Sequence, residues 1–158
     1  KSGKVSSVIT QNIDGLHQMS GVAEEDVIEL HGNTTYAKCL ECHMRMSLDA
    51  VRSVFVPAEN LPVCEKCGGI VKTATISFGQ AMPIAEMRRA EMEALNCDLF
   101  IVIGSSLVVY PAADIPVVAQ KNGAHLVILN REPTPIDAIA TLTLNREIGE
   151  TLSAVTKM

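Results

Sequence analysis

Two C-x-x-C pairs, Cys39 with Cys42 and Cys64 with Cys67, stand 21 residues apart, and no other feature of the chain restricts its fold as tightly. Each such turn aims two sulfurs at one point, and two turns complete a tetrahedron of thiolates, the ligand set of a structural zinc ion. The gap is slightly longer than usual, and Gly68-Gly69 follows the second pair as a tight knuckle requires. Two disulfides are the alternative, against which an odd fifth cysteine, Cys97, weighs. Cys97 reads as a small buried hydrophobe, and His43, which abuts Cys42 without ligand spacing, as a surface residue. Four thiolates leave no open coordination position, so any chemistry is to be sought elsewhere in the chain.

Composition narrows the partners. With 158 residues, 47% of them hydrophobic, the chain can bury one core and a small satellite. A net charge of −5, no basic run, no Trp and only two Tyr and three Phe argue against a nucleic acid held through phosphates or stacked bases. The longest clean apolar run, Leu99 to Ile103, falls far short of the roughly 18 residues of a membrane span. A soluble, cytoplasmic protein with no membrane partner is the expectation.

Outside the cysteine region, apolar runs alternate with helical patterns. Val5–Thr10 is a β-prone run broken by Gln11-Asn12-Ile13-Asp14-Gly15, and a brief helical piece follows, ending near Gly21. Val27–Leu30 ends in His31-Gly32, and Thr73–Phe78 is strand-like and stopped by Gly79. Pro83 introduces a helix over Ala85–Asn96, with Met87, Ala90, Ala94 and Leu95 on one face. The unbroken apolar run Leu99–Ile103 implies a central parallel strand covered on both faces. Pro111 opens a helix to about Lys121, Leu126–Leu129 repeats the buried-strand pattern, and Leu142–Leu144 precedes a closing helix from Ile148 to about Lys157. This is an α/β layout, a Rossmann-like doubly wound parallel sheet, with the zinc ribbon inserted as a small domain. Its boundaries are 1–35 and 72–158 for the dinucleotide-type domain and 36–71 for the zinc domain.

Ligands of open parallel sheets bind beyond the carboxyl ends of the strands, where four polar clusters fall: Gln11–Asp14, His31, Gly104-Ser105-Ser106 and Asn130–Glu132. The serines can offer hydroxyls and backbone N–H groups to a phosphate or ribose, and Asn130 and Glu132 can hold ribose hydroxyls. Taken singly, each reads more readily as a turn or cap; their shared location favours a site.

The order Thr10-Gln-Asn-Ile-Asp-Gly-Leu-His17, Glu29-Leu-His-Gly32, paired C-x-x-C, Phe78-Gly79, Gly104-Ser-Ser-Leu-Val-Val-Tyr-Pro-Ala-Ala113 and Asn130-Arg-Glu132 resembles the sirtuins, NAD-dependent protein lysine deacylases. The resemblance implies that NAD and an acylated-lysine protein or peptide meet in the cleft between a Rossmann-like large domain and a zinc-ribbon small one. It implies that Asn12 and Asp14 hold the nicotinamide ribose and carboxamide, with Gln11 and Ile13 completing the pocket. His31 becomes the general base for the ribose hydroxyl, a task that suits imidazole because it titrates near neutrality. Gly104, Ser105 and Ser106 fall to the phosphate and ribose, and Asn130, Arg131 and Glu132 to the adenine-side ribose. Phe78 walls the acyl-lysine tunnel, the Ile76 carbonyl accepts the amide N–H, and Val108, Val109 and the Gly79-Gln80 backbone pair with the peptide as added strands. The products are nicotinamide, free lysine and O-acyl-ADP-ribose.

The chain departs from the sirtuin pattern at three places. Lys72-Thr73 stands where the family often has Arg-Pro, and Gln80 where it has Glu after Phe-Gly, so acyl and peptide preference need not follow the family. The family's opening strand and Gly-Ala-Gly-x-Ser phosphate loop have no counterpart within residues 1–158. By that comparison the first βα unit is missing, and the chain taken alone is expected to expose a hydrophobic sheet edge and to bind NAD weakly. Mono-ADP-ribosyl transfer, which shares the first chemical step, and a non-catalytic zinc-ribbon and NAD-fold binding module are the alternatives.

Overall fold

In the computed structural model, which describes residues 3–58, 61–77 and 79–155 (without the side chains of 56–58), the β-branched runs near the start form two short strands. Strands β1 (Val8–Thr10) and β2 (Val27–Glu29) pair in parallel, with Val8 opposite Val27 and Thr10 opposite Glu29. A parallel pair needs a crossover, supplied here by helix α1 (Leu16–Met19) and a 3-10 turn at Glu24–Asp26. Ile28 and Leu30 are fully buried. The ladder continues past the strand ends through Leu30 N–H to the Thr10 carbonyl at 2.9 Å and Thr34 N–H to the Ile13 carbonyl at 2.8 Å.

The cysteine region is built on an antiparallel sheet of order β4-β3-β5, formed by β3 (Gly32–Cys39), β4 (Arg45–Ser47) and β5 (Val71–Thr75). Side chains alternate along β3, so Ala37 and Cys39 are buried while Tyr36 and Lys38 lie on the other face, partly exposed. Helix α2 (Leu48–Ala58) turns Leu48 and Val51 onto the cluster of Ala37, Cys39, Cys64 and Val71. The strand expected over Thr73–Phe78 instead ends at Thr75: pairing with β3 brings Val71 opposite Cys39 and Thr75 opposite Gly32, where β3 begins. The segment between the cysteine pairs carries β4 and α2, which the spacing alone does not disclose.

Residues Lys1–Glu86 form one compact unit and Met87–Met158 another. Helix α3 (Ile84–Asn96) runs through the division, with Ala90 and Ala94 fully buried. Leu95, expected on the same face, is 43% exposed, because it lies one residue, about 100°, round the helix from Ala94.

The second unit is a parallel sheet of order β6-β7-β8, from β6 (Leu99–Ile103), β7 (His125–Leu129) and β8 (Leu142–Leu144). A 3-10 turn at Ala112–Asp114 leads into helix α4 (Ile115–Lys121), which packs on β6 and β7 and closes at Asn122-Gly123. Val102, Leu107, Ala113, Leu126 and Ile128 make the core. Burial of β6 corrects the expectation of a strand covered on both faces. Val102 is 6% exposed, but Leu99, Ile101 and Ile103, on the opposite face, are 46–50% exposed. The helical crossover covers one face only, and among the described residues β6 pairs only with β7. The final helix, α5, spans Ile148–Val155, and Lys157 lies outside the described residues. No helix among the described residues is long and apolar enough to cross a membrane.

Gly32 joins the first sheet to the second. Its φ is +75°, and a Cβ built there meets the Ala74 carbonyl oxygen at 1.9 Å, a backbone atom that cannot rotate away. Gly32→Ala is therefore expected to destabilise the protein by at least about 2 kcal/mol in urea unfolding; an unchanged midpoint contradicts this packing.

Candidate functional site

Two groups of strand-end residues assemble, one in each unit. In the first, Gln11–Asp14 leaves β1 and is pinned to its surroundings by backbone bonds. Asn12 N–H donates to Thr10 Oγ1 at 3.1 Å, and Thr34 Oγ1 donates to the Ile13 carbonyl at 2.7 Å. Asp14 Oδ1 accepts the Leu16 N–H at 3.0 Å, at the entry to α1, where Gly15 adopts φ +72°. The side chains of Asn12, Ile13 and Asp14 remain exposed.

His31 follows β2 and lies beside this loop, its Nδ1 3.1 Å from the Gln11 carbonyl oxygen. A carbonyl only accepts, so Nδ1 carries a proton, and in the neutral ring Nε2 is the nitrogen with the lone pair. The His31 carbonyl in turn accepts the Ile76 N–H at 2.9 Å, which brings the start of the Ile76–Gln80 segment alongside. Gly79 has φ +81°, Gln80 N–H donates to the Ser77 carbonyl at 2.9 Å, and Gln80 Oε1 accepts the Ser77 N–H at 3.2 Å. Phe78 lies outside the described residues.

Glu29, noted in the sequence only as part of a motif, ties these pieces together. Its carboxylate accepts from Gln18 Nε2 at 2.7 Å and from Asn33 Nδ2, and Asn33 Oδ1 accepts the Thr35 N–H at 2.6 Å. One buried amide and one carboxylate thus bridge α1, the end of β2 and the start of β3. Spacing along the chain gives no signal of this, because the partners meet only once the crossover has folded.

The four cysteine sulfurs lie within 4.8 Å of one another, with Cys39 Sγ 3.5 Å from Cys67 Sγ and Cys42 Sγ 3.6 Å from Cys64 Sγ. Zn–S bonds of about 2.3 Å in a tetrahedron separate sulfurs by about 3.8 Å, so the cluster fits zinc, and the distances exclude disulfides. All five cysteines are free. The Cys39 thiol is pulled down to about 7, chiefly by the Cys42 backbone N–H. Cys67 is pulled down by the Gly69 N–H but pushed up more by thiols of its neighbours, to about 12. Four thiolates gather at one point only with a dication to hold them. Gly69 is the close wall of the cluster: a Cβ there comes 2.9 Å from Cys39 Sγ. His43 is exposed, and Cys97 is half-buried, with burial the first cause of its raised pKa.

In the second unit a cavity of about 420 Å³ is lined by Gly104, Ser106, Asn130, Arg131, Glu132, Arg146, Glu147 and Ile148. Gly104 extends the ladder by donating its N–H to the Leu129 carbonyl at 2.9 Å, and its missing Cβ leaves room for Ile148, whose Cδ1 is 2.8 Å from where a Cβ sits. Asn130 Nδ2 donates to the Glu132 carbonyl at 2.8 Å, shaping the turn, and Arg131 Nε pairs with Glu147 Oε1 at 2.8 Å. Ser105, expected beside Ser106, does not line the cavity; its Oγ accepts the Leu107 N–H at 3.3 Å. Val108 and Val109 are exposed at 58% and 43%. Arg146, Glu147 and Ile148 line the cavity without being among the candidate site residues of the sequence. The strand-end rule applied to β8, as it was to β6 and β7, selects them.

The sequence pattern of the Sir2 family matches residues 1–111. The chain belongs to the Sir2 family. It is 60% identical over 152 residues to an NAD-dependent protein deacetylase of Rhodopseudomonas palustris, covering 96% of this chain and 60% of that protein. It is 59% identical to NAD-dependent protein deacetylase 1 of Bradyrhizobium diazoefficiens, again over 96% of this chain and 59% of the relative. A solved structure of Sir2 bound to acetylated peptide superimposes with a TM-score of 0.86 at 38% identity, over 96% of this chain and 62% of that one. Sir2 with a p53 peptide and NAD+ gives 0.84 at the same identity, over 96% and 62%. The chain spans about 60% of the length of these Sir2 relatives.

The Sir2 protein is expected to purify with one zinc per chain. Cys64→Ser, which removes a buried ligand, should lose the metal and lower the thermal midpoint, and zinc content should fall as pH drops because the ligands are thiolates. Full stability after complete zinc removal contradicts a structural role.

Proposed function

We propose that the protein is an NAD-dependent protein lysine deacylase. The observation that carries this reading is the His31 imidazole held by the Gln11 carbonyl through Nδ1, which leaves Nε2 as a base beside the loop bearing Asn12 and Asp14. The names of relatives, NAD-dependent protein deacetylases and a deacylase among them, support it.

NAD supplies an activated ribose carbon and a nicotinamide leaving group. Asn12 and Asp14 stand exposed on a fixed loop and are placed to hold the nicotinamide ribose and carboxamide, Asp14 with the oxygen that does not accept the Leu16 N–H, and Gln11 and Ile13 form the wall. The Asp14 carboxylate favours positive charge developing on the ribose. His31 Nε2 removes the proton of a ribose hydroxyl, and the Gln11 carbonyl stabilises the imidazolium through Nδ1–H. In the second unit, Glu132 and Asn130 supply acceptors for the adenosine ribose, with Arg131 between them, and Gly104 and Ser106 supply backbone and hydroxyl donors for phosphate; Ser105, outside the cavity lining, shapes the turn through its bond to the Leu107 N–H. Ile76 offers its carbonyl to the acyl-lysine amide, and the backbones of Gly79, Gln80, Val108 and Val109 offer pairing to the peptide; Phe78 is the proposed tunnel wall. The zinc domain, residues 36–71, holds structure and takes no part in the chemistry. Free thiols throughout favour a reducing, cytoplasmic setting.

The test is labelled NAD and an acetylated peptide, incubated with the protein expressed from its complete coding sequence. Nicotinamide release with O-acetyl-ADP-ribose is the expected outcome. Label retained on protein supports ADP-ribosyl transfer instead, and no NAD consumption supports a binding module. His31→Tyr should lower turnover at least about 100-fold, the range of a lost general base.

A further inference from the structure

The small antiparallel sheet carries an arrangement that folding stability alone disfavours. Its register sets Lys38 opposite Arg45 on one side and opposite Lys72 on the other, a row of three cations across one face. Like charges directly opposite one another in a sheet repel. Arg45 is compensated: its guanidinium lies 2.8 Å from Glu24 and 3.8 Å from the centre of the Tyr36 ring. Lys38 and Lys72 have no carboxylate oxygen within 4.0 Å among the described residues. Glu24 and Glu29 are engaged elsewhere: Glu24 holds Arg45, and Glu29 holds Gln18 and Asn33.

Lys72 is the more informative of the two lysines. Its ammonium donates to the Thr75 carbonyl at 2.8 Å, to Ser77 Oγ at 3.2 Å and to Gln80 Oε1 at 3.2 Å. All three acceptors are neutral, so the protons are satisfied while the charge is not cancelled. Lys72 and Gln80 are also two of the positions at which the sequence departs from the sirtuin pattern, and the structure brings these two departures into contact. A glutamate at 80 would neutralise the cation; glutamine fixes the same turn and leaves the charge facing outward beside Gly79 and Gln80, both exposed.

We propose that the protein favours acyl-lysine substrates flanked by acidic residues, a preference set by Lys72 together with Gln80. The proposal rests on reading Ile76 and Gly79-Gln80 as the edge along which the peptide lies. A peptide strand on that edge passes the uncompensated ammonium, and an Asp or Glu beside the acyl-lysine supplies the carboxylate that the protein withholds. Because the contact is exposed, its effect is that of a surface ion pair, about two- to fivefold per charge, and it weakens as salt rises.

The experiment compares acetylated peptides that differ only in their flanking residues, acidic, neutral or basic, by fluorescence-anisotropy binding and by kcat/KM at low and high salt. Acidic peptides should bind about two- to fivefold tighter than neutral ones, with the difference in KM rather than kcat. The ratio should collapse toward one in Gln80→Glu, and also in Lys72→Met as a second, independent removal of the free charge. Equal binding of acidic and neutral peptides by the unaltered protein, or a ratio that survives both substitutions, overturns the proposal. Acid-selective binding without deacetylation overturns the deacylase reading alone.

Discussion

The pairing of β3 with β5 is the constraint on which the rest of the first unit hangs. β3 begins at Gly32, directly after His31, and ends at Cys39, a metal ligand; β5 runs the other way, from Val71 opposite Cys39 to Thr75 opposite Gly32. One end of this two-strand ribbon is gathered by four sulfurs, and the other is bonded to the His31 carbonyl through Ile76 N–H. A four-thiolate ion has no open position and does no chemistry. Its grip on the far end nevertheless fixes the backbone that presents His31 and the start of the Ile76–Gln80 segment, and Gly32, with no room for a Cβ, is where the ribbon meets the parallel pair.

Everything near His31 is held by main-chain or short side-chain bonds rather than by apolar packing. The Gln11–Asp14 loop carries exposed polar tips on a backbone whose N–H and C=O groups are tied to Thr10 and Thr34, and the Asp14 carboxylate accepts the Leu16 N–H. Glu29 and Asn33 lock α1 against the start of β3. Such preorganisation lets exposed side chains meet a substrate without first being ordered. The cavity of the second unit follows the same plan, with Asn130 shaping its own turn and Glu147 holding Arg131 at the rim.

What could be read from the sequence was whatever depends on short spacing or on strand polarity. The two C-x-x-C turns point to a four-sulfur cluster because the geometry is local, and the polar ends of β1, β6 and β7 point to sites because parallel strands place their carboxyl ends together. Burial was legible only in part. An unbroken apolar run suits a strand covered on both faces, yet coverage depends on what packs against it, and Leu99, Ile101 and Ile103 stay half exposed. Contacts between distant residues were out of reach altogether. Glu29 with Asn33 and Gln18, Arg131 with Glu147, and Lys72 with Gln80 exist only because the fold brings them together. The last of these turns two separate departures from the family pattern into one coupled change.

The claim that links fold to chemistry is that the Gln11 carbonyl selects the tautomer of His31. Nitrogen-15 NMR of histidine-labelled protein, with His31 assigned by substitution, reads the protonation of each ring nitrogen directly. The neutral ring should carry its proton on Nδ1, with the Nε2 resonance at the position of an unprotonated nitrogen. A His31 whose neutral form is protonated on Nε2 has no lone pair on that nitrogen to act as the proposed base and contradicts the account.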